Sequence, residues 1–209
     1  MTRPSFVDPA AREKFEREQK AFALGGQTPG EIFSETMQLG GAPDAIVSND
    51  VFAITRNDIE AIPVSDWRDT FEAVVLFPIR LTQTFLPLFK ARRSGAFATP
   101  ARETRPEPGF AVPTTLWAAT TAFAKALAKE AAPFGVQANV VAPNYLYSEM
   151  NYPREKFIDD PAGRAEIAEK VPFGRLGEQD EAGALIAFFA SGASPFTTGQ
   201  VVYFTGGWP

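Results

Sequence analysis

At 209 residues, with 45% hydrophobic and 22% charged residues, the chain is long enough for one domain with a sizeable core. A formal net charge of −5 without basic runs excludes a nucleic-acid binder, and the absence of cysteine excludes disulfides and thiolate metal sites. Histidine is absent too, which removes the usual general base, the usual zinc ligand and every Ser-His-Asp arrangement.

Met1 to Phe22 is charged and polar rather than an n-region followed by an apolar core, which argues against a secretion signal. No uninterrupted apolar run reaches about 18 residues, so no transmembrane helix is expected and a cytoplasmic location is the default. Asp8-Pro9 opens an amphipathic helix over Ala10 to Ala23 that Gly25-Gly26 stops. Thr28-Pro29 offers a cap and a first-turn proline for a second helix, carrying Ile32, Phe33, Met37 and Leu39 and ended by Gly40-Gly41. Ala45 to Asp50 reads as a short buried strand.

Ser65-Asp66 caps a long apolar helix to about Lys90, which Pro78 and Pro87 should kink or shorten. Gly95 to Thr99 is a second strand, and Arg102 to Gly109 a proline-rich loop in which Arg102, Glu103 and Arg105 read as solvated charges. Thr114 or Thr115 starts an alanine-rich helix to Ala132, closed by Pro133 and Gly135. Val136 to Ala142 is a strand, Pro143 to Pro172 a long loop with one short helix, Asp180 to Ala190 a helix, and Gln200 to Phe204 the last strand. Strands alternating with helices from residue 45 onward mark parallel βαβ units covered on both faces.

Four segments carry a family resemblance: Ala45-Ile-Val-Ser-Asn-Asp-Val-Phe52, Ala126-Leu-Ala-Lys-Glu130, Ala142-Pro-Asn-Tyr-Leu-Tyr-Ser-Glu149, and the C-terminal group Gly174-Arg-Leu-Gly177, Phe189-Ala-Ser-Gly192, Thr198-Gly-Gln-Val201 and Gly206-Gly-Trp-Pro209. In order and spacing over residues 45–209 they resemble the short-chain dehydrogenase/reductase superfamily, and within it the halohydrin dehalogenases. The resemblance implies a single Rossmann-like domain over residues 1–209. Its doubly wound parallel sheet is expected to be truncated at the nucleotide-binding half, with a helical segment over 1–44 in place of the first strands. Gly25-Gly26 and Gly40-Gly41 follow helical patterns and read as helix ends rather than phosphate-binding turns. No nucleotide, other cofactor or metal is therefore expected.

The family chemistry needs a Ser hydroxyl, a Tyr hydroxyl and a cation one helical turn after the Tyr. By register from Ala126 to Glu130, the resemblance places the Tyr position at Pro113, the cation position at Trp117, and the Ser position among Thr99 to Arg102. These positions imply no catalytic residue. Tyr152 and Lys156 have the Tyr-x-x-x-Lys spacing, but Pro153 interrupts the turn and they read as a surface pair. The loop Pro143-Asn144-Tyr145-Leu146 resembles the one that wraps halide in the halohydrin dehalogenases; without the catalytic groups it reads first as a well-packed structural connection, and otherwise as a vestigial ligand loop lined by Tyr145, Tyr147 and Phe110.

The expectation is a non-catalytic subunit that assembles with and supports an active short-chain dehydrogenase/reductase paralogue, or with itself in a homo-oligomer. No nucleic acid or membrane is expected as a partner. The alternative is a halohydrin dehalogenase-type enzyme with a rearranged site drawing on Arg102 and on Tyr145 or Tyr152. A ligand-binding protein that uses the loop without chemistry is the third reading.

Overall fold

The computed structural model describes residues 28–49, 56–100 and 107–208. Four parallel strands lie in the order β1-β2-β3-β4: Ala45–Val47, Gly95–Pro100, Val136–Pro143 and Val201–Phe204. The register is continuous, with Ile46 beside Phe97, Phe97 beside Ala138, and Val140 beside Val201. The expected parallel α/β sheet is present.

Helix α1, Pro29–Leu39, begins as its sequence dictates. The Thr28 hydroxyl accepts from the Glu31 N–H, the Glu31 carboxylate accepts from the Thr28 N–H, and Pro29 fills the first turn. Ile32 and Phe33 turn onto the core, whereas Met37 and Leu39 stay exposed. The helix expected over Ala10 to Ala23 lies outside the described residues.

Helix α2 runs over Val64–Arg92. It starts after Pro63, without the expected Ser65-Asp66 side-chain cap. Pro78 does not break it. The turn Glu72–Leu76 widens so that the Phe77 N–H reaches the Glu72 carbonyl five residues back, which makes room for a proline that has no N–H to give. By length and composition α2 could cross a membrane, against the expectation that no segment qualifies. Here it serves as a core helix, with Phe85 and Phe89 fully buried and Phe33, Phe85, Phe89 and Phe97 linked ring to ring.

Helix α3, Ala111–Ala131, starts three residues earlier than Thr114. Pro113 therefore falls in its first turn, where the missing N–H costs nothing. Helices α2 and α3 cover one sheet face, against Phe97, Val136 and Ala138. Helix α5, Gln179–Ala190, covers the other through Leu185, Ile186 and Phe189 on Ala98 and Val141. With both faces covered, β3 is buried along nearly its whole length. Between β3 and α5 the chain forms a widened turn, Glu155–Asp159, and helix α4, Pro161–Lys170.

Candidate active site

In an open parallel sheet, ligands sit outside the carboxyl ends of the strands. The Pro143–Leu146 loop leaves β3 at that end. The Asn144 N–H donates to the Phe204 carbonyl at 3.1 Å, and the Asn144 Oδ1 accepts from the Tyr145 N–H at 2.9 Å. Tyr145 is held at φ 51°, the left-handed region that costs a tyrosine free energy. The Gly177 N–H donates to the Tyr145 carbonyl and the Tyr147 N–H to the Gly177 carbonyl, both at 2.9 Å. A side chain at Gly177 would collide with the Phe204 ring, since a Cβ there would lie 2.6 Å from it. The strained turn is thus over-determined from both sides.

That conformation seats the Tyr145 ring 5.9 Å from Tyr152 and 5.6 Å from Trp208 (centroid to centroid), over a core of Ile167, Val171 and Leu176. Tyr152 also meets Phe157 edge-on at 5.4 Å. The reading of Tyr152 as half of a surface pair is corrected: its ring is half-buried in this cluster, while the exposed Lys156 ammonium lies 4.7 Å over the Phe157 ring. Lys170 ends α4, exposed. Its Nζ donates to Glu166 at 2.7 Å, an ion pair that raises the lysine above its usual value first of all, with the Tyr145 and Tyr152 phenols adding to the shift.

The outer strap of the loop is polar. The Tyr147 hydroxyl donates to Glu149, and the Arg154 guanidinium lies 5.5 Å over the Tyr147 ring. That hydrogen bond holds the Glu149 carboxyl below the usual range, helped by the Arg154 N–H, and it raises Tyr147. Tyr147 therefore turns toward solvent-side partners, away from the cavity behind the loop. The cavity, about 220 Å³, is lined by Asn144, Tyr145, Phe173, Arg175, Tyr203 and Gly206 among others. Phe110 lies elsewhere, in a groove at the start of α3, under the Arg56 guanidinium at 4.1 Å. Of the three lining residues expected from sequence, only Tyr145 lines this cavity.

Arg175 and Glu181 form a two-pronged ion pair at its rim, 2.8 and 2.7 Å. Glu181 also caps α5 by accepting from the Glu178 N–H at 2.9 Å. Arg175 first, and then that N–H, lower the Glu181 carboxyl from 4.5 to about 2. A depressed carboxyl contributes stability that is fully present above pH 4.5 and is lost as pH falls through 2. The melting temperature of Glu181→Gln should thus lie below that of the parent at pH 6 and converge on it by about pH 2. An unchanged gap across that range would overturn this assignment.

The positions assigned by resemblance to the catalytic Tyr and cation are occupied as follows. Pro113 is buried in the first turn of α3, and one turn on Trp117 packs against the cluster of Val74, Val75 and Leu116. Arg102, Glu103 and Arg105 lie outside the described residues.

The family described as enoyl-(acyl carrier protein) reductase matches residues 28–209. The chain belongs to the short-chain dehydrogenase/reductase superfamily. It is 31% identical to the 3-oxoacyl-[acyl-carrier-protein] reductase FabG of Salmonella typhimurium over 170 residues, 80% of this chain and 67% of that protein. Among solved structures it is similar to a halohydrin dehalogenase (HheC) bound to ethyl (2S)-oxiran-2-ylacetate, with a TM-score of 0.91 and 29% identity over 98% of this chain and 84% of the other. It is also similar to a dehalogenation enzyme with a TM-score of 0.89 and 31% identity, over 99% and 85%.

These relatives correct the expectation of a non-catalytic subunit. They are enzymes matched across most of this short-chain dehydrogenase/reductase chain, and nothing in them indicates a purely supporting role. Occupancy of the family positions does not by itself decide activity, since side chains from other segments also gather beside the strand ends. A dinucleotide, which the superfamily fold implies, needs a glycine-rich turn that brings backbone N–H groups to a phosphate. Among the described residues, β1 leads into Ser48-Asn49, β2 ends at Pro100 and β3 leads into Asn144-Tyr145, none of them glycine-rich, while the Gly206-Gly207 turn after β4 packs against Val171 and Pro172. The described residues do not fit a dinucleotide.

Proposed function

We propose that this chain is an enzyme of the halohydrin dehalogenase type, closing vicinal haloalcohols to epoxides with release of halide and opening epoxides with small anions. The observation that carries the reading is the Tyr145 turn, strained and locked at the carboxyl end of β3 with the Tyr152 ring tilted against it at 5.9 Å. The reaction is redox-neutral, in keeping with strand ends that do not cradle a dinucleotide. The hydroxyl proton of the haloalcohol passes to a base, the oxygen forms a C–O bond to the neighbouring carbon, and the C–halogen bond breaks with its electron pair leaving on the halide.

In this proposal Tyr145 and Tyr152 supply the proton-transfer hydroxyls. Pro113 and Trp117 replace the family's Tyr and cation, which is why the site is displaced toward the loop. The Pro143–Leu146 segment holds the anion. A second copy of this chain is the proposed partner, since Val64 and Phe71 on α2 and Phe188 on α5 remain exposed.

Halide release and epoxide formation from a chromogenic vicinal bromoalcohol test the reading. Tyr145→Phe or Tyr152→Phe should lower kcat by about 100-fold or more, the usual contribution of a positioned proton-transfer group. Failure to release halide or to open epoxides with azide, alongside turnover of a ketone with NADPH, would replace this reading with a reductase.

A further inference from the structure

Between the sheet and helices α2 and α3 lies a nearly closed cavity that belongs to neither the loop nor the groove at the start of α3. Its walls are mostly apolar, yet four hydroxyl residues line it: Ser48 after β1, Thr99 on β2, Thr82 on α2 and Thr120 on α3. The sheet register brings the first two together. Val47 pairs with Ala98, and the Ser48 N–H donates to the Ala98 carbonyl at 3.1 Å, so Ser48 and Thr99 are cross-strand neighbours. Thr82 and Thr120 are 7% and 6% exposed, deep enough that an unsatisfied hydroxyl carries a real cost. The Thr120 hydroxyl donates to the Leu116 carbonyl at 2.9 Å, which leaves its oxygen able to accept.

The cavity holds about 10 Å³, room for one water and for nothing larger.

We propose that this cavity is a specific site for a single internal water, held by the hydroxyls of α2, α3 and the sheet end. The water ties α2 and α3 to the carboxyl ends of β1 and β2. It thus fixes the helix position across the layer that Thr99 shares with the strand ends.

Two measurements test the site without reference to catalysis. In a crystal structure at a resolution that orders interior waters, one water should lie within hydrogen-bonding distance of at least two of the four hydroxyls. Water relaxation dispersion on the parent protein in solution should count one long-lived molecule that Thr120→Val removes. That variant keeps the side chain's shape, so it should lower Tm by about 2–4 °C if a bound water loses a partner, with Thr120→Ser restoring most of it. An unchanged or higher Tm in Thr120→Val would overturn the proposal, as would a dry cavity beside otherwise ordered interior waters. Should Thr120→Val not fold, Thr82→Val addresses the same water from the opposite helix, and the count on the parent protein decides by itself.

Discussion

Gly163→Ala should destabilise the protein by about 3 kcal/mol, the upper end of the usual cost of overpacking. Gly163 stands at the third position of α4, where its N–H donates to the capping Asp160 carboxylate at 3.0 Å. A Cβ at this position would lie 1.7 Å from the Lys156 carbonyl oxygen, 2.8 Å from its carbon and 3.1 Å from the Phe157 Cα. All three are main-chain atoms, so no rotamer change relieves the clash and the helix itself must move. Moving α4 withdraws Ile167 and Val171 from Leu176 and lifts the floor under Tyr145 and Tyr152. Denaturant midpoints of Gly163→Ala and of the control Gly183→Ala separate the effects. Gly183 lies inside α5 with nothing within 4 Å of a new Cβ, so its substitution should be neutral or gain up to about 1 kcal/mol from helix propensity. Equal stability of the two variants would sink the argument. Under the proposed function, Gly163→Ala should also lower turnover more than its residual stability predicts.

Phe85→Ala should cost about 3–5 kcal/mol, the typical figure for deleting a buried phenyl ring. Phe85 is fully buried on α2, 5.1 Å from the Phe33 ring and 6.5 Å from the Phe89 ring. It therefore joins α1 to α2 and, through Phe89 and Phe97, to the sheet. The loss would be a large part of a typical domain stability of about 5–15 kcal/mol. Equilibrium unfolding of Phe85→Ala and Phe85→Leu measures it, Leu recovering more than half if packing volume is the cause. A loss below about 1 kcal/mol for the alanine variant would show that α1 and α2 do not unfold with the sheet.

The sequence by itself determined the layer plan. Short apolar runs at Ala45, Gly95, Val136 and Val201, separated by helical patterns, can satisfy their backbone groups only as parallel strands with crossover helices, and the register confirms that arrangement. Local chemistry was equally legible at the start of α1, where Thr28, Pro29 and Glu31 interact within four residues. The starts of α2 and α3 were placed wrongly because Ser65 and Thr114 look like caps, whereas neither helix has a side-chain cap and each begins where packing allows. Family resemblance fixed which positions Pro113 and Trp117 occupy, but position along a helix says nothing about the groups that other segments bring to the same place.

Only the tertiary structure decided those. Tyr145, Tyr152 and Trp208 span more than sixty residues of sequence and meet because Gly177 and Phe204 lock one turn and Gly163 lets α4 settle over it. The four hydroxyls of the inner cavity come from one strand, the residue that follows another, and two helices, and each alone is an ordinary serine or threonine. Periodicity encodes which face of an element is apolar. The convergence of polar groups from separate elements depends on helix positions set by the packing of the whole core, which no local pattern records.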